Sequence, residues 1–343
     1  PEYSSHPLAM ASYVSAVPTV ATRDWRGPVS YLCRDAPKTD VELPGRKFSG
    51  VIQIGGAAMT RQAGKYFEQH RTTIFDARTH LAGGKDAWGF ERHGFCYIQR
   101  PDFDFEDHAA QDRRRVDAEF GPRVCEATRA ATGARRVFWL SHQRRSEGAG
   151  FTERPAVGFG HADYGPDYEQ QIRSVLKARY GVPEDEAQTC GLCLVNLWAP
   201  VERPAYRNPL ALLDGSTVDM ERDAVPWILH PSVDNGYGYY QEAMGQGQHP
   251  RPPAERVPQA AKDAPALLPV HSPRHRWVFL SDMTPEEAVI FKQYDFRRGA
   301  ACKATFHQAF PDSFHRNWKE CPGRRSIECR MVLTFDPELT SRL

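Results

Sequence analysis

Gly160-His161-Ala162-Asp163-Tyr164 carries an imidazole and a carboxylate two residues apart. It follows Pro155-Ala156-Val157-Gly158-Phe159, an apolar run that reads as a buried strand relieved by glycine. Residues i and i+2 of a strand point to one face. His161 and Asp163 therefore aim an imidazole and a carboxylate at one point, two-thirds of the 2-His-1-carboxylate triad that holds Fe(II) and leaves coordination positions open. By itself the pair also reads as a surface histidine beside a loop aspartate. The rest of the chain has to supply a second histidine, an anion-binding arginine and a barrel.

Working outward, strand-like runs recur: Thr72–Ala77, Gly94–Ile98, Arg136–His142, Leu192–Trp198, Pro226–His230, His275–Leu280, Ala304–Phe310 and Arg325–Phe335. Helical patterns gather in the first half. One runs from Glu106 to Phe120, a second from Pro122 to Thr132 with Gly133 as its stop, and a third is amphipathic from Tyr168 to Tyr180. Thr284-Pro285-Glu286-Glu287 reads as a helix start, predicting a helix from Pro285 to Gln293. Gly83-Gly84 marks a turn, and Arg113-Arg114-Arg115 reads as a solvated helix face.

The expected fold is mainly β with flanking helices around a double-stranded β-helix, or jelly roll. The chain reads as one domain over 1–343. Residues 1–70 form an extended N-terminal arm broken by Pro28, Pro37 and Pro44, and 71–336 form the core. Within the core, 231–272 is an irregular insertion whose Gly236-Tyr237-Gly238-Tyr239-Tyr240 run suits a lid.

Composition narrows the function. A net charge of +1 over 343 residues gives no global field for nucleic acid or membrane binding. No run of 18 apolar residues is present, so no membrane helix is expected. Residues 7–22 lack a basic start and contain Pro7 and Pro18, which argues against a secretory signal. The eight cysteines are scattered, which fits free thiols in a reducing, cytoplasmic setting. Cys190-x-x-Cys193 has no second pair at zinc spacing and reads as structural.

His307, on a late strand, best supplies the missing histidine, with a hydrogen-bonded core histidine as the other reading and His142, His230, His271, His275 and His315 as competitors. Arg324-Arg325-Ser326 opens the last strand. A guanidinium fork with a hydroxyl suits the tail of a dicarboxylate. Arg324, Ser326, Glu328 and Arg330 alternate onto one face, against Ile327, Cys329, Met331 and Leu333 on the other. The polar face suits a polar pocket, with Arg330 an alternative anchor to Arg324. Tyr164, Asn196 and Trp198 are candidates for the pocket wall, and each also reads as core.

These phrases, together with Val195-Asn196-Leu197-Trp198, Phe291-Lys292-Gln293-Tyr294-Asp295 and His307-x-Ala309-Phe310, give the chain from about residue 70 to 336 a resemblance to a known family. It resembles the microbial hydroxylase/desaturase family of secondary-metabolite clusters, described as gibberellin-desaturase-like and related to a cephamycin-methoxylation protein. The resemblance implies a non-haem Fe(II)- and 2-oxoglutarate-dependent dioxygenase that uses O2 to hydroxylate, desaturate or cyclise a small metabolite. It implies His161, Asp163 and His307 as metal ligands and Arg324 and Ser326 on the cosubstrate carboxylate. Two other readings share the barrel: a metal enzyme that does not use 2-oxoglutarate, and a non-catalytic pathway partner. The oligomeric state is not legible.

Overall fold

The computed structural model describes residues 23–38, 41–43, 46–49, 51–54, 65–81, 88–105, 113–146, 156–231, 264–314 and 320–337. The first strands are β1 (Trp25–Leu32), β2 (Val41–Leu43), β3 (Arg46–Phe48), β4 (Val51–Ile54) and β5 (Phe67–Asp76). The middle of the chain supplies β6 (Phe95–Gln99), β7 (Arg136–Ser146), β8 (Gly191–Pro200), β9 (Leu210–Leu213) and β10 (Ala224–Pro231). The last are β11 (Ala264–Pro269), β12 (Trp277–Phe279), β13 (Glu287–Asp295), β14 (His307–Ala309) and β15 (Arg325–Phe335). Three helices matter below: α1 (Gly121–Thr132), α2 (Glu169–Tyr180) and α3 (Glu184–Thr189).

Two five-stranded sheets carry the core, in the orders β6-β13-β8-β15-β7 and β1-β5-β12-β9-β14. A smaller sheet, β11-β10-β4, adjoins them. In β8 the side chains alternate strictly. Cys193, Val195, Leu197 and Ala199 turn outward under Val116, Phe120 and Val124 of the helical layer. Leu194, Asn196 and Trp198 turn the other way. Trp198 packs with Phe95, Val289 and Phe291 of its own sheet against Leu212 and Val278 of the second. Every residue of β8 is buried, so the strand reads as a continuous apolar run. Each large side chain taken out of water there contributes about 1.5–3 kcal/mol, which outweighs local preference. α2 packs on the opposite face of the same sheet, with Ile172 and Leu176 in one cluster with Phe138, Leu140, Leu194 and Val332. The two facing sheets with helices on the outer side make a jelly roll, as the sequence predicts.

Several expectations need correction. Residues 25–32 are not a loose arm. They form β1, pair along their whole length with β5, and bury Trp25, Val29 and Tyr31. The predicted helix Pro285–Gln293 is strand β13, inserted between β6 and β8. The local start motif does form one turn: Thr284 N–H donates to the Glu287 carboxylate at 2.9 Å. Arg78 then binds that carboxylate with both terminal nitrogens, at 2.9 and 2.8 Å, and Ala288-Val289-Ile290-Phe291 continues as a buried strand.

Pro122 does not open a separate helix, because the backbone from Arg113 runs helically through a π turn at Val116–Phe120 into α1. The insertion ends earlier than predicted, since Ala264–Pro269 pairs with β10. Residues 1–22, the Gly83-Gly84 turn, the helix start at 106–112 and the lid stretch at 236–240 lie outside the described residues.

Candidate metal centre

The His161 segment is not a regular strand. It closes a gap between sheets. Ala309 N–H donates to Val157 O at 2.7 Å, and His161 and His307 exchange both backbone bonds, at 3.1 and 2.9 Å. On its other side, Gly160 N–H bonds Ser30 O of β1 and Ala162 pairs with Leu267 of β11. Edge strand β14 is thereby covered. Gly160 suits this close approach, because a Cβ there would sit 2.8 Å from Pro269. The i, i+2 alternation predicted for a strand survives in these bridges. It puts His161 and Asp163 on one side, directly opposite His307.

The ligating atoms of His161, Asp163 and His307 all lie within 4.8 Å of one another. His161 Nε2 is 3.7 Å from Asp163 Oδ1, and the two imidazole centroids are 4.3 Å apart. Each histidine anchors its Nδ1 on a carbonyl two residues back, Phe159 O at 3.0 Å and Thr305 O at 3.4 Å. Nδ1–H donates there, which leaves the Nε2 lone pair for a cation. Burial, reinforced by His161, pushes His307 down to about 3, so its imidazole is neutral at physiological pH. Burial works against the Asp163 carboxylate, but Arg330 and the two histidines outweigh it and hold the group down at about 2. Two imidazole Nε2 atoms and one ionised carboxylate, convergent, fit a divalent transition metal. Among the described residues this is the one such cluster.

Asp163 is held from two directions. Its backbone N–H donates to Gln293 Oε1 at 2.8 Å. Gln293 reaches it because β13 changes register against β8 between Lys292 and Tyr294, a bulge that re-aims the side chain. From the other side, Arg330 Nη2 lies 3.7 Å from Asp163 Oδ2 and 2.6 Å from Glu328 Oε1. Asn196 donates to Glu328 at 3.0 Å, and Arg330 to Gln143 at 3.2 Å. This network spans β7, β15 and β8, whose register puts Trp198 opposite Glu328 and Asn196 opposite Arg330.

The alternation predicted for β15 is present. Ile327, Cys329, Met331 and Leu333 sit under the helical layer, while Ser326, Glu328 and Arg330 are buried on the other face. His161, His307, Trp198, Arg324, Glu328 and Arg145 line a common cleft. Arg324 donates to Asn208 O at 2.5 Å, with its guanidinium 5.5 Å from the Trp198 ring centroid. Ser326 Oγ is buried and has no hydrogen-bond partner.

Tyr164 packs on Tyr168 at 4.8 Å and belongs to the cluster beneath α2, outside the cleft lining. Asn196 stands behind the cleft, within the network. Cys190 and Cys193 are free thiols in different core clusters, which fits their structural reading. Sequence reasoning missed Gln293 and Arg145. The first is hidden by the helix expectation, and the second reads only as part of a polar strand end.

Two histidines and a carboxylate converging within a jelly roll are the donor set of a candidate non-haem metal site. The chain belongs to the oxidoreductase/YMDC permease-like domain family, whose model matches residues 43–247 and 255–334. It is 33% identical over 256 residues to the hydroxylase/desaturase efuI of Hormonema carpetanum, covering 67% of this chain and 74% of that protein. Against the hydroxylase/desaturase asaB of Aspergillus flavus it is 30% identical over 157 residues, 42% of this chain and 56% of the relative's length. A third relative is nvfI of Aspergillus novofumigatus, named an Fe(II)/2-oxoglutarate-dependent dioxygenase, 24% identical over 79% of this chain and 86% of that one. The solved structure of the iron and alpha-ketoglutarate-dependent endoperoxidase NvfI superposes with TM-score 0.65 at 18% identity, covering 91% of this chain and 98% of that one. The fold is shared. No helix among the described residues is long and apolar enough to cross a membrane.

Proposed function

We propose that the chain is an Fe(II)- and 2-oxoglutarate-dependent oxygenase acting on a small metabolite in secondary metabolism. The convergence of His161, Asp163 and His307 within 4.8 Å carries the reading. Their anchored Nδ1 atoms and ionised carboxylate fit a ferrous ion, and the relatives' names point the same way. When bound, Fe(II) with a 2-oxo acid and O2 supplies the oxidising power for hydroxylation, desaturation or ring closure.

The protein's share is positioning. His161 and His307 would each offer Nε2, and Asp163 one oxygen, to the metal. Gln293 and Arg330 hold Asp163 in place. Arg324 is the anchor for the distal carboxylate of 2-oxoglutarate, with the buried Ser326 hydroxyl as second donor. Arg330 is already engaged with Glu328 and Gln143, which favours Arg324 in that role. As it stands the cleft measures about 20 Å3, roughly the space of one water. Admitting a 2-oxo acid therefore requires Arg324 to exchange the Asn208 carbonyl for the ligand. Trp198 then walls the site against water. All eight cysteines are free thiols, which supports a reducing, cytoplasmic setting.

The test is turnover. The purified chain with Fe(II), 2-oxoglutarate and O2 should release succinate slowly without added substrate, and Asp163→Ala should not. Tight metal binding without succinate would instead indicate a metal enzyme independent of 2-oxoglutarate.

A further inference from the structure

Strand β14 has two faces. His307 turns toward the metal cleft. Gln308, the next residue, turns to the opposite side of the same strand, into a second and much larger cleft of about 430 Å3. The two clefts meet at β14, since Gln308 and Ala309 line both. The metal cleft has no room for a substrate, whereas its neighbour lies in the size range of small-molecule sites.

The second cleft has a consistent chemistry. Pro28, Ala156, Gly158, Phe310 and Pro311 give it an apolar wall, and Arg207 adds a cation to its polar side beside Gln69 and Asn208. No acidic side chain is among the described residues that line it. Gln308 is buried at 2% exposure, and its Oε1 accepts only a long bond from Ser30 N–H, at 3.4 Å. Its Nε2 has no partner among the described residues. A buried amide N–H2 left unpaired costs free energy, about 1–3 kcal/mol, unless something accepts from it. It is a donor waiting beside an apolar wall in a space without carboxylates.

We infer that this cleft binds the part of the substrate remote from the reacting carbon, and that the ligand is a largely apolar small molecule carrying an acceptor oxygen, a ketone, ester or carboxylate, that takes the Gln308 Nε2–H bond. Amine-bearing molecules are disfavoured because no anion answers them. The link to catalysis rests on the oxygenase reading; the binding site itself does not.

Gly158 offers a clean way to block the cleft. Gly158 lines the cleft, and a Cβ added there meets no atom of the described residues within 4 Å, so a bulky side chain can be started at that wall without an immediate clash. The experiment titrates the full chain calorimetrically with three probes on one skeleton: 2-acetylnaphthalene, 2-naphthoate and 2-naphthylmethylammonium. The first two should bind and the ammonium should not. Gln308→Leu should weaken the acceptor probes roughly three- to tenfold, the worth of one hydrogen bond. Gly158→Phe should abolish their binding while far-UV circular dichroism stays unchanged.

Equal binding of all three probes, binding of none, or unchanged affinities in both variants would overturn the inference. The visible band of the anaerobic Fe(II)–2-oxoglutarate complex is recorded on the same proteins. A missing band with normal probe binding removes the oxygenase reading and leaves the site standing. A normal band without probe binding removes the site alone.

Discussion

Gln293 and Asp163 lie 130 residues apart in the chain, yet the side-chain oxygen of one accepts the backbone N–H of the other at 2.8 Å. The bond exists because β13 carries a bulge where it passes the metal cluster. A carboxylate whose main chain is clamped presents its oxygens in one direction, which is what a metal ligand needs. Replacing Gln293 by Leu removes the clamp and keeps the volume. Metal affinity should fall about 10- to 100-fold, in the range seen when groups supporting a ligand are lost. Competition of Fe(II) or Co(II) against a chelator measures it, and Gln293→Glu, which keeps an acceptor oxygen for the Asp163 N–H, should lose less than Gln293→Leu.

Arg330 and Glu328 form a buried pair at 2.6 Å. Removing only one partner leaves an uncompensated charge. Arg330→Met should therefore destabilise the fold by about 3–5 kcal/mol. The double variant Arg330→Met, Glu328→Gln should recover part of that loss, because only the Asp163 carboxylate then faces the lost guanidinium. Urea denaturation of the four proteins in the cycle gives the coupling.

Arg324 is assigned to the cosubstrate and not to the metal. Arg324→Met should raise the KM for 2-oxoglutarate at least tenfold while Fe(II) retention stays at the wild-type level. Ser326→Ala should act in the same direction by a smaller factor. Arg324→Lys should rescue little, because a point charge does not reproduce the two-pronged fork.

Acid stability should report on a different cluster. Asp295 is fully buried between Arg297, at 2.6 Å, and Lys292, at 2.7 Å. Burial opposes its ionisation, but Arg297 and Lys292 prevail and lower its pKa below the usual value of 3.8. The unfolded chain thus takes up the Asp295 proton before the folded one does. The stability this group contributes is present above its unfolded pKa and lost as pH falls through and below that value. Asp295→Asn should lower stability at neutral pH and flatten the acid limb of a plot of unfolding free energy against pH.

Much of the site is legible in the sequence because its spacing obeys local rules. His-x-Asp on an extended segment predicts two side chains on one face, and the alternation from Arg324 to Leu333 predicts a strand with one polar and one apolar side. Both hold, as do the strands around Leu192–Trp198 and Arg325–Phe335. The failures have one physical origin, tertiary packing outweighing a correct local signal. Thr284-Pro285-Glu286-Glu287 does make its turn, but burial of Val289 to Phe291 between two strands sets the extended backbone beyond it. β1 reads as an arm because Pro28 and Pro37 interrupt it, yet its pairing with β5 is not visible from either strand alone. Gln293 escapes notice as a site residue for the same reason, since its role depends on a bulge defined by β8.

The most direct test of the central claim uses anaerobic protein titrated with Fe(II) and then 2-oxoglutarate. A weak visible charge-transfer band should appear and saturate at one metal per chain, with His161→Ala, Asp163→Ala and His307→Ala each failing to develop it. A band of undiminished intensity in any of these variants, or none in the wild-type chain at saturating metal, would contradict that claim.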